Sequence, residues 1–320
     1  MPLSRCAAVF ASIGVALAAA PAAHAQPYPY KPIRIVTSPV GGGTDFAARV
    51  IGQALSDAVG QPVVIDNRPG TIIPARVVAT ASPDGYTLLL NGSSLLFLPF
   101  MMDKPGYDPV KDFAPVTLAY KSPNVLVVRP AAPVTSVKAL IDLARARPGD
   151  LNYGSSGSGS SVHMAAELFK SMARVDIVRV VYRGSGPAII GLMSGETILM
   201  FATPGSAAPH VKSGRLRALA VTSAQPSALF PGLPTVAAEL PGYESVSTNG
   251  VLAPAGTPTA IINRLNKEIV RILHSPEVKA KFFNGGSDTI GSSPPEFAET
   301  IRSEMAKWGK VIREARIRVQ

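Results

Sequence analysis

The chain is predicted to be an α/β protein of two lobes around a shared ligand. Three observations carry this. The first third runs strand–helix–strand–helix–strand. A similar alternation resumes after residue 125. Each run contains a glycine-rich turn set between an apolar strand and an amphipathic helix, first at Pro39–Asp45 and again at Tyr153–His163. Strands that alternate with helices form parallel sheets, because parallel neighbours need a crossover. A chain of 320 residues favours two lobes over one core.

The first 25 residues stand apart. Arg5 supplies a positive start, Ala7–Ala20 is a short apolar run, and Ala23-His24-Ala25 fits a small-residue cleavage site. This reads as a secretory signal peptide, so the expected location is the periplasm. The single cysteine, Cys6, falls inside it, and the mature chain must rely on its core without disulfides. No later apolar run reaches the ~18 residues of a membrane span.

Beyond the signal, Ile33–Thr37 reads as a buried strand and Phe46–Val59 as a helix stopped by Gly60. Val63–Ile65 is a second strand, closed by the turn signal Asn67-Arg68-Pro69-Gly70. Pro74–Ala81 fits a short helix and Tyr86–Leu90 a third strand. In the second run, Val125–Val128 is a strand, Val137–Arg145 a helix and Leu151–Tyr153 a strand. The Gly/Ser turn follows, then a helix over Val162–Ala173. Strands at Ile177–Tyr182, Thr197–Ala202 and Leu216–Val221 alternate with helices at Pro187–Met193 and Ala207–Ser213. After a proline-rich stretch over Pro226–Pro241, a strand at Gly250–Ala253 and helices at Pro258–Leu273, Pro276–Phe283 and Pro294–Arg316 complete the chain. This pattern predicts lobe 1 over 26–124 and 252–320, and lobe 2 over 125–251.

Both glycine turns suit an anion. Glycine lets a ligand approach the backbone closely, and the first amides of a helix together with its dipole attract carboxylate or phosphate. The net charge of +10 is compatible with anionic ligands or partners. Basic residues are dispersed and not interleaved with aromatics, which argues against nucleic acid. The sequence has no strict nucleophile elbow, Walker loop or dinucleotide fingerprint, and its four histidines are scattered. We therefore expect neither enzyme chemistry nor a metal or cofactor. Four or five charge-assisted hydrogen bonds, each contributing roughly 1.5–3 kcal/mol, would suffice for micromolar binding.

Several strings resemble the Bug family, the periplasmic substrate-binding proteins of tripartite tricarboxylate transporters. They are Asn67-Arg68-Pro69-Gly70, Pro83-Asp84-Gly85-Tyr86-Thr87-Leu88-Leu89, Asp112-Phe113-Ala114-Pro115-Val116, Tyr153-Gly154-Ser155-Ser156-Gly157, Val181-Tyr182-Arg183-Gly184-Ser185 and Gly250-Val251-Leu252-Ala253-Pro254-Ala255-Gly256-Thr257-Pro258. The resemblance spans nearly the whole mature chain. It implies a two-lobe periplasmic-binding-protein (Venus-flytrap) fold, each lobe a doubly wound mixed sheet. Hinge crossings are expected near Pro123–Val128 and Thr248–Ala253. It also implies a monomer that captures a small organic carboxylate and passes it to membrane transporter subunits. A ligand-presenting accessory of a membrane sensor is the alternative.

The resemblance implies ligand-binding roles for Gly42, Gly43, Thr44 and Asp45 in the first turn, and for Asn91 and Ser93, with Gly92, on the cleft floor. In the second lobe it implicates Ser155, Ser156, Gly157, Ser158, Gly159, Ser160, His163 and Arg183. For three of these, residue chemistry leaves two readings open. Asp45 either contacts the ligand or orients Thr44 and the helix start. His163 either touches the ligand or braces the loop. Arg183 is either a second-carboxylate clamp or a solvated charge. Compared with the family pattern, Ser38 replaces an aromatic, Val40 a proline, Ile198 an aspartate and Thr248 a tryptophan. Thr71-Ile72-Ile73 replaces Ala-Gly-Gly. Ile72 and Ile73 would dry one side of the pocket, which suits an aromatic or longer-chain acid.

Overall fold

A computed structural model describes residues 27–319 apart from residue 41. The expected signal segment, Cys6 included, lies outside the described residues. The chain begins with β1 (Ile33–Thr37), α1 (Gly43–Val59), β2 (Val63–Asn67), α2 (Ile72–Ala79), β3 (Thr87–Gly92), α3 (Ser94–Met101) and β4 (Phe113–Pro123). It continues with β5 (Val125–Val128), α4 (Val137–Ala146), β6 (Asn152–Ser155), α5 (Ser161–Ala173), β7 (Val178–Val181) and α6 (Ser185–Ser194). Then come β8 (Leu199–Ala202), α7 (Pro204–Lys212) and β9 (Arg217–Val221). The last elements are β10 (Val246–Pro254), α8 (Thr259–Leu273), α9 (Pro276–Asn284), β11 (Asp288–Thr289) and α10 (Pro294–Glu314).

These form two mixed sheets. The first has the order β11-β4-β10-β3-β1-β2 and the second β7-β6-β8-β5-β9. β1 runs parallel to β2 and β3, while β10 is antiparallel to β3 and β4. In the second sheet β6 runs parallel to β7 and β8, and β5 is antiparallel to β8 and β9. The period-two pattern of buried strands assigns their faces. Leu88 and Leu90 pack with Ile51, Leu265 and Ile269 from α1 and α8, whereas Leu89 packs on the opposite face with Phe297 and Ile301 of α10. Likewise Leu126 and Val128 face α4 and α5, and Val125 and Val127 face α6 and α7.

Local signals explain the boundaries. α1 stops at Gly60, whose φ of 67° is the left-handed conformation glycine favours. α10 starts on a capping box in which Ser293 and Glu296 satisfy one another's amides. Gly250 in β10 is obligatory, because a Cβ there would collide with the Phe297 ring and the Thr117 carbonyl.

Some elements differ from expectation. α1 begins at Gly43 rather than Phe46, so the glycine turn runs directly into the helix. α2 begins at Ile72, two residues before Pro74. Neither α3 nor β4 was anticipated. α3 is apolar on every side with Pro99 in its interior, so it has no polar face to reveal a period. β4 contains Pro115, and it pairs only with strands that arrive more than a hundred residues later.

The two sheets are joined through a small buried knot. The chain leaves β4 at Pro123 and enters β5 at Val125, and it re-enters the first sheet at Val246. Residues 248–253, where the second crossing was expected, lie within β10 in the first sheet. At the crossings, the Asn124 backbone N–H donates to Thr222 Oγ1 at 2.6 Å, and that hydroxyl donates to the Ser245 carbonyl at 2.6 Å. The Asn124 amide donates to the Phe201 carbonyl at 2.6 Å. One threonine therefore ties together both passages of the chain. Away from this knot, the Gly285-Gly286 turn after α9 meets Pro204-Gly205 at the start of α7. A Cβ on Gly286 would overlap the Pro204 ring.

Thr222→Val keeps the shape of the knot but removes its hydroxyl, leaving a buried N–H and a buried C=O without partners. Denaturant unfolding is expected to show a loss of about 1–3 kcal/mol.

Candidate functional site

Both glycine turns sit at the C-terminal ends of parallel strands, one per sheet, where open α/β sheets place ligands. In the first turn, Gly42 is the N-cap of α1 with extended backbone (φ −85°, ψ 166°) and no side-chain cap. The N–H groups of Gly43 and Thr44 have no acceptor among the described residues. Nearby, the Tyr120 hydroxyl on β4 lies 3.9 Å from where a Cβ on Gly43 would be, and it too has no hydrogen-bond partner among the described residues. Tyr120 is buried, and burial raises its pKa, so it stays a neutral donor.

Asp45 has another task. Its carboxylate is buried, accepts from Asn67 Nδ2 at 2.9 Å and pairs with Arg49 at 3.0 Å. Asn67 also donates to the Ser38 carbonyl at 2.8 Å, so this group fastens the turn to the end of β2. Such a role fits the alternative in which Asp45 orients the helix start and offers no negative charge to a ligand.

In the second turn, Ser160 caps α5 by accepting from the His163 N–H at 3.3 Å. The Gly159 N–H, at a φ of 77°, donates to His163 Nδ1 at 3.2 Å. His163 is buried, and its pKa is pushed down to about 3, first by burial and then by the positive charges of Arg179 and Lys170. It is a neutral acceptor that braces the loop. The N–H groups of Gly157 and Ser158 have no partner among the described residues, nor do those of Ser161 and Val162 in the first turn of α5. A Cβ on Gly157 would meet nothing within 4 Å. A Cβ on Gly159 would instead contact Leu98 and Met101 of α3 at 3.4 and 3.5 Å, so this turn faces the first lobe.

The serines divide by role. Ser155 is buried and its Oγ accepts from Arg179 Nε at 2.7 Å. Ser158 Oγ accepts from Arg179 Nη1 at 3.2 Å, and the Ser156 carbonyl from Nη2 at 3.0 Å. Neither Arg179 nor Tyr120 was anticipated from sequence. Arg183, which was, lies beyond the end of β7. It is exposed and has no hydrogen bond or ion pair among the described residues.

Asn91 and Ser93, expected on the cleft floor, turn toward the interior. Ser93 Oγ accepts from the Thr248 N–H at 2.8 Å and lies 3.0 Å from Thr248 Oγ1. Asn91 Oδ1 accepts from Gly92 N–H at 2.8 Å, while its Nδ2 has no partner among the described residues. Asn91 borders a cavity of about 10 Å³ shared with Leu95, Phe297 and Ile301. Gly92 belongs with them, since a Cβ there would clash 2.5 Å from Asn249 Oδ1. The departures from the family pattern are also placed. Ile73 is half exposed at the start of α2, Ile72 packs against the core, and Thr248 spends its backbone and hydroxyl on Ser93. A separate groove of about 1000 Å³ between α1, α8 and α9 includes Phe46, Arg49, Arg271 and Lys281 but no residue of the Gly/Ser turn. Among the described residues, no acidic, histidine or cysteine cluster could hold a metal, and no helix is long and apolar enough to cross a membrane.

Comparison with known proteins agrees with this architecture. The family model described as "Tripartite tricarboxylate transporter family receptor" matches residues 47–317. Protein BugT of Bordetella pertussis is 37% identical over 316 residues, covering 96% of this chain and 97% of its own length. A Pseudomonas sp. (strain P51) protein described as lying in the tcbD-tcbE intergenic region is 38% identical, covering 91% of this chain and 88% of its own. Among solved structures, R. palustris Rpa4515 with adipate superposes with a TM-score of 0.84 at 38% identity, covering 91% of this chain and 99% of the other. MatC (Rpa3494) from Rhodopseudomonas palustris with bound malate gives 0.80 at 28% identity, covering 89% and 100%.

The buried, neutral His163 makes stability pH-dependent with a definite sign. Its folded pKa lies below the unfolded value near 6.5, so the unfolded chain takes up a proton first as pH falls. The contribution is present above about pH 6.5 and is lost progressively toward about pH 3. In His163→Asn, the amide oxygen can still accept from Gly159 but does not titrate. Its melting temperature is expected to fall less than that of the unaltered protein between pH 7 and pH 4.

Proposed function

Because the chain belongs to the tripartite tricarboxylate transporter receptor family of substrate-binding proteins, we propose that it captures a small organic dicarboxylate between its two glycine turns and delivers it to membrane transporter subunits. It does no chemistry on the ligand. The observation that carries this reading is the pair of helix starts with open amides, α1 without a side-chain cap and α5 capped by Ser160 only at the His163 N–H. α1 and α5 each offer backbone N–H groups that no acceptor among the described residues claims, and those groups together with the helix dipoles suit a carboxylate. Tyr120 adds a neutral hydroxyl donor on the first lobe. Asp45 adds no uncompensated negative charge to the site, because it pairs with Arg49 and Asn67, and His163 is neutral and serves as a brace.

Length selectivity follows from the surroundings. Ile73, half exposed at the start of α2, supplies apolar surface in place of a small residue, which favours a ligand with methylenes between its acid groups. The relative bound to adipate is at 38% identity, and the one bound to malate at 28%. We accordingly place the ligand among longer aliphatic diacids rather than hydroxylated short ones. Capture by one lobe and closure of the other would turn about the Thr222 knot. The predicted signal segment places this work in the periplasm.

Two experiments test the proposal. In titration calorimetry, adipate is expected to bind at micromolar affinity or better and more tightly than malate or benzoate. A preference for malate would reject the length argument, and no binding of any organic acid would reject the function. The amides themselves can be removed one at a time. Gly43 and Ser161 are the first residues of their helices, where proline is tolerated, and each follows an extended residue that accepts a proline next in the chain. Gly43→Pro and Ser161→Pro are each expected to keep the fold by circular dichroism and to weaken adipate binding by roughly tenfold to a hundredfold.

A further inference from the structure

Arg179 projects from β7 across to the end of β6 and grips the back of the Gly/Ser turn. Its Nε donates to Ser155 Oγ at 2.7 Å, Nη1 to Ser158 Oγ at 3.2 Å and Nη2 to the Ser156 carbonyl at 3.0 Å. A half-buried guanidinium normally sits against a carboxylate, which also offsets its charge. Here no acidic side chain lies within ion-pair distance of Arg179 among the described residues. Glu167, the carboxylate that acts on it electrostatically, accepts from the Tyr153 hydroxyl at 2.6 Å and pairs with Lys170 at 3.0 Å. The turn therefore holds a cation without a direct ion-pair partner behind its row of open amides.

The same contacts set the direction of the turn's donors. The Ser156 carbonyl points at the guanidinium. The peptide is planar and trans, so the Gly157 N–H points the opposite way, out of the turn. The Ser158 oxygen spends a lone pair on Arg179, so its proton is directed elsewhere, and it has no acceptor among the described residues. Arg179 thus supplies positive charge and, through its three bonds, turns the Gly157 N–H and the Ser158 proton toward the front of the turn.

We infer that Arg179 is the residue that makes this turn select an ionised carboxylate over an uncharged group of the same shape. It acts as a positioning residue behind the backbone rather than as a ligand contact. The inference rests on the reading that the turn receives a carboxylate. Ser155, Ser156 and Ser158 are the means by which it acts. A turn of equal geometry with a neutral residue at 179 would bind an amide nearly as well as an acid.

The test is calorimetry on the full mature chain with adipate and with adipamide, which keeps the length but has no charge. The unaltered protein is expected to prefer adipate by at least tenfold. Arg179→Gln is expected to lose about tenfold or more in adipate affinity with little change toward adipamide, so that the preference collapses. Arg179→Lys, which keeps the charge but not the fork, is expected to restore much of it and to keep adipate binding dependent on ionic strength. Equal weakening toward both ligands, or an unchanged preference in Arg179→Gln, would overturn the inference while leaving the function standing. If Arg179→Gln does not fold, loss of the preference in a folded Arg179→Lys would overturn it by itself. If the unaltered chain binds neither adipate nor any other organic acid, the proposed function falls and this inference with it.

Discussion

Every helix starts with amides that its own backbone cannot satisfy, and most chains answer them with a side chain. Here α4, α5, α9 and α10 carry serine caps, whereas α1, like α6, begins on a bare glycine. Even α5, though capped by Ser160, keeps the amides at its mouth open, because the serine reaches only as far as His163. These unanswered donors are the constraint to which the rest of the site conforms. Around them, Asp45 is neutralised by Arg49 and His163 stays uncharged.

The two halves of the molecule meet this constraint with different machinery. In the first lobe the turn is tied from the side, by Asn67 bonded to both Ser38 and Asp45. In the second it is tied from behind, by Arg179, and from within, by His163 against Gly159. The lobes are not independent bodies. The face of the first sheet that carries α10 and the face of the second that carries α5 share one continuous apolar cluster, into which Phe97, Trp308, Tyr243 and Phe169 all pack. Any motion between the lobes would have to preserve that cluster, which favours rotation about the Thr222 knot over separation.

Much of this was legible in the sequence, and the exceptions have physical reasons. The two glycine turns and their helices were readable because turn composition and helix period are local properties. The family likeness was readable for the same reason, since it rests on short strings at element ends. Arg179 escaped notice because its importance lies in a neighbour across the sheet. Within Val178-Arg179-Val180-Val181 it looks like one polar position in a strand. Arg183, four residues on, has the same chemistry but leaves the strand before it can reach the turn. Tyr120 escaped because β4 is built from long-range antiparallel pairing. Asn91 lies near the end of β3 and Ser93 just beyond it, where a cleft was expected, yet both are drawn inward, Asn91 onto the Gly92 N–H and Ser93 onto Thr248. Strand direction alone does not say which face a terminal side chain takes.

The contact between Gly285-Gly286 and Pro204-Gly205 has a mechanical meaning of its own. The Gly286 backbone from one half abuts the rigid Pro204 ring and the Gly205 backbone from the other, with no flexible side chain between them to yield. A buffer of that kind is hard and short in range. If the lobes close on a ligand as proposed, it would limit their travel without adding any attraction that holds them shut, so the energy for staying closed would have to come from whatever they enclose.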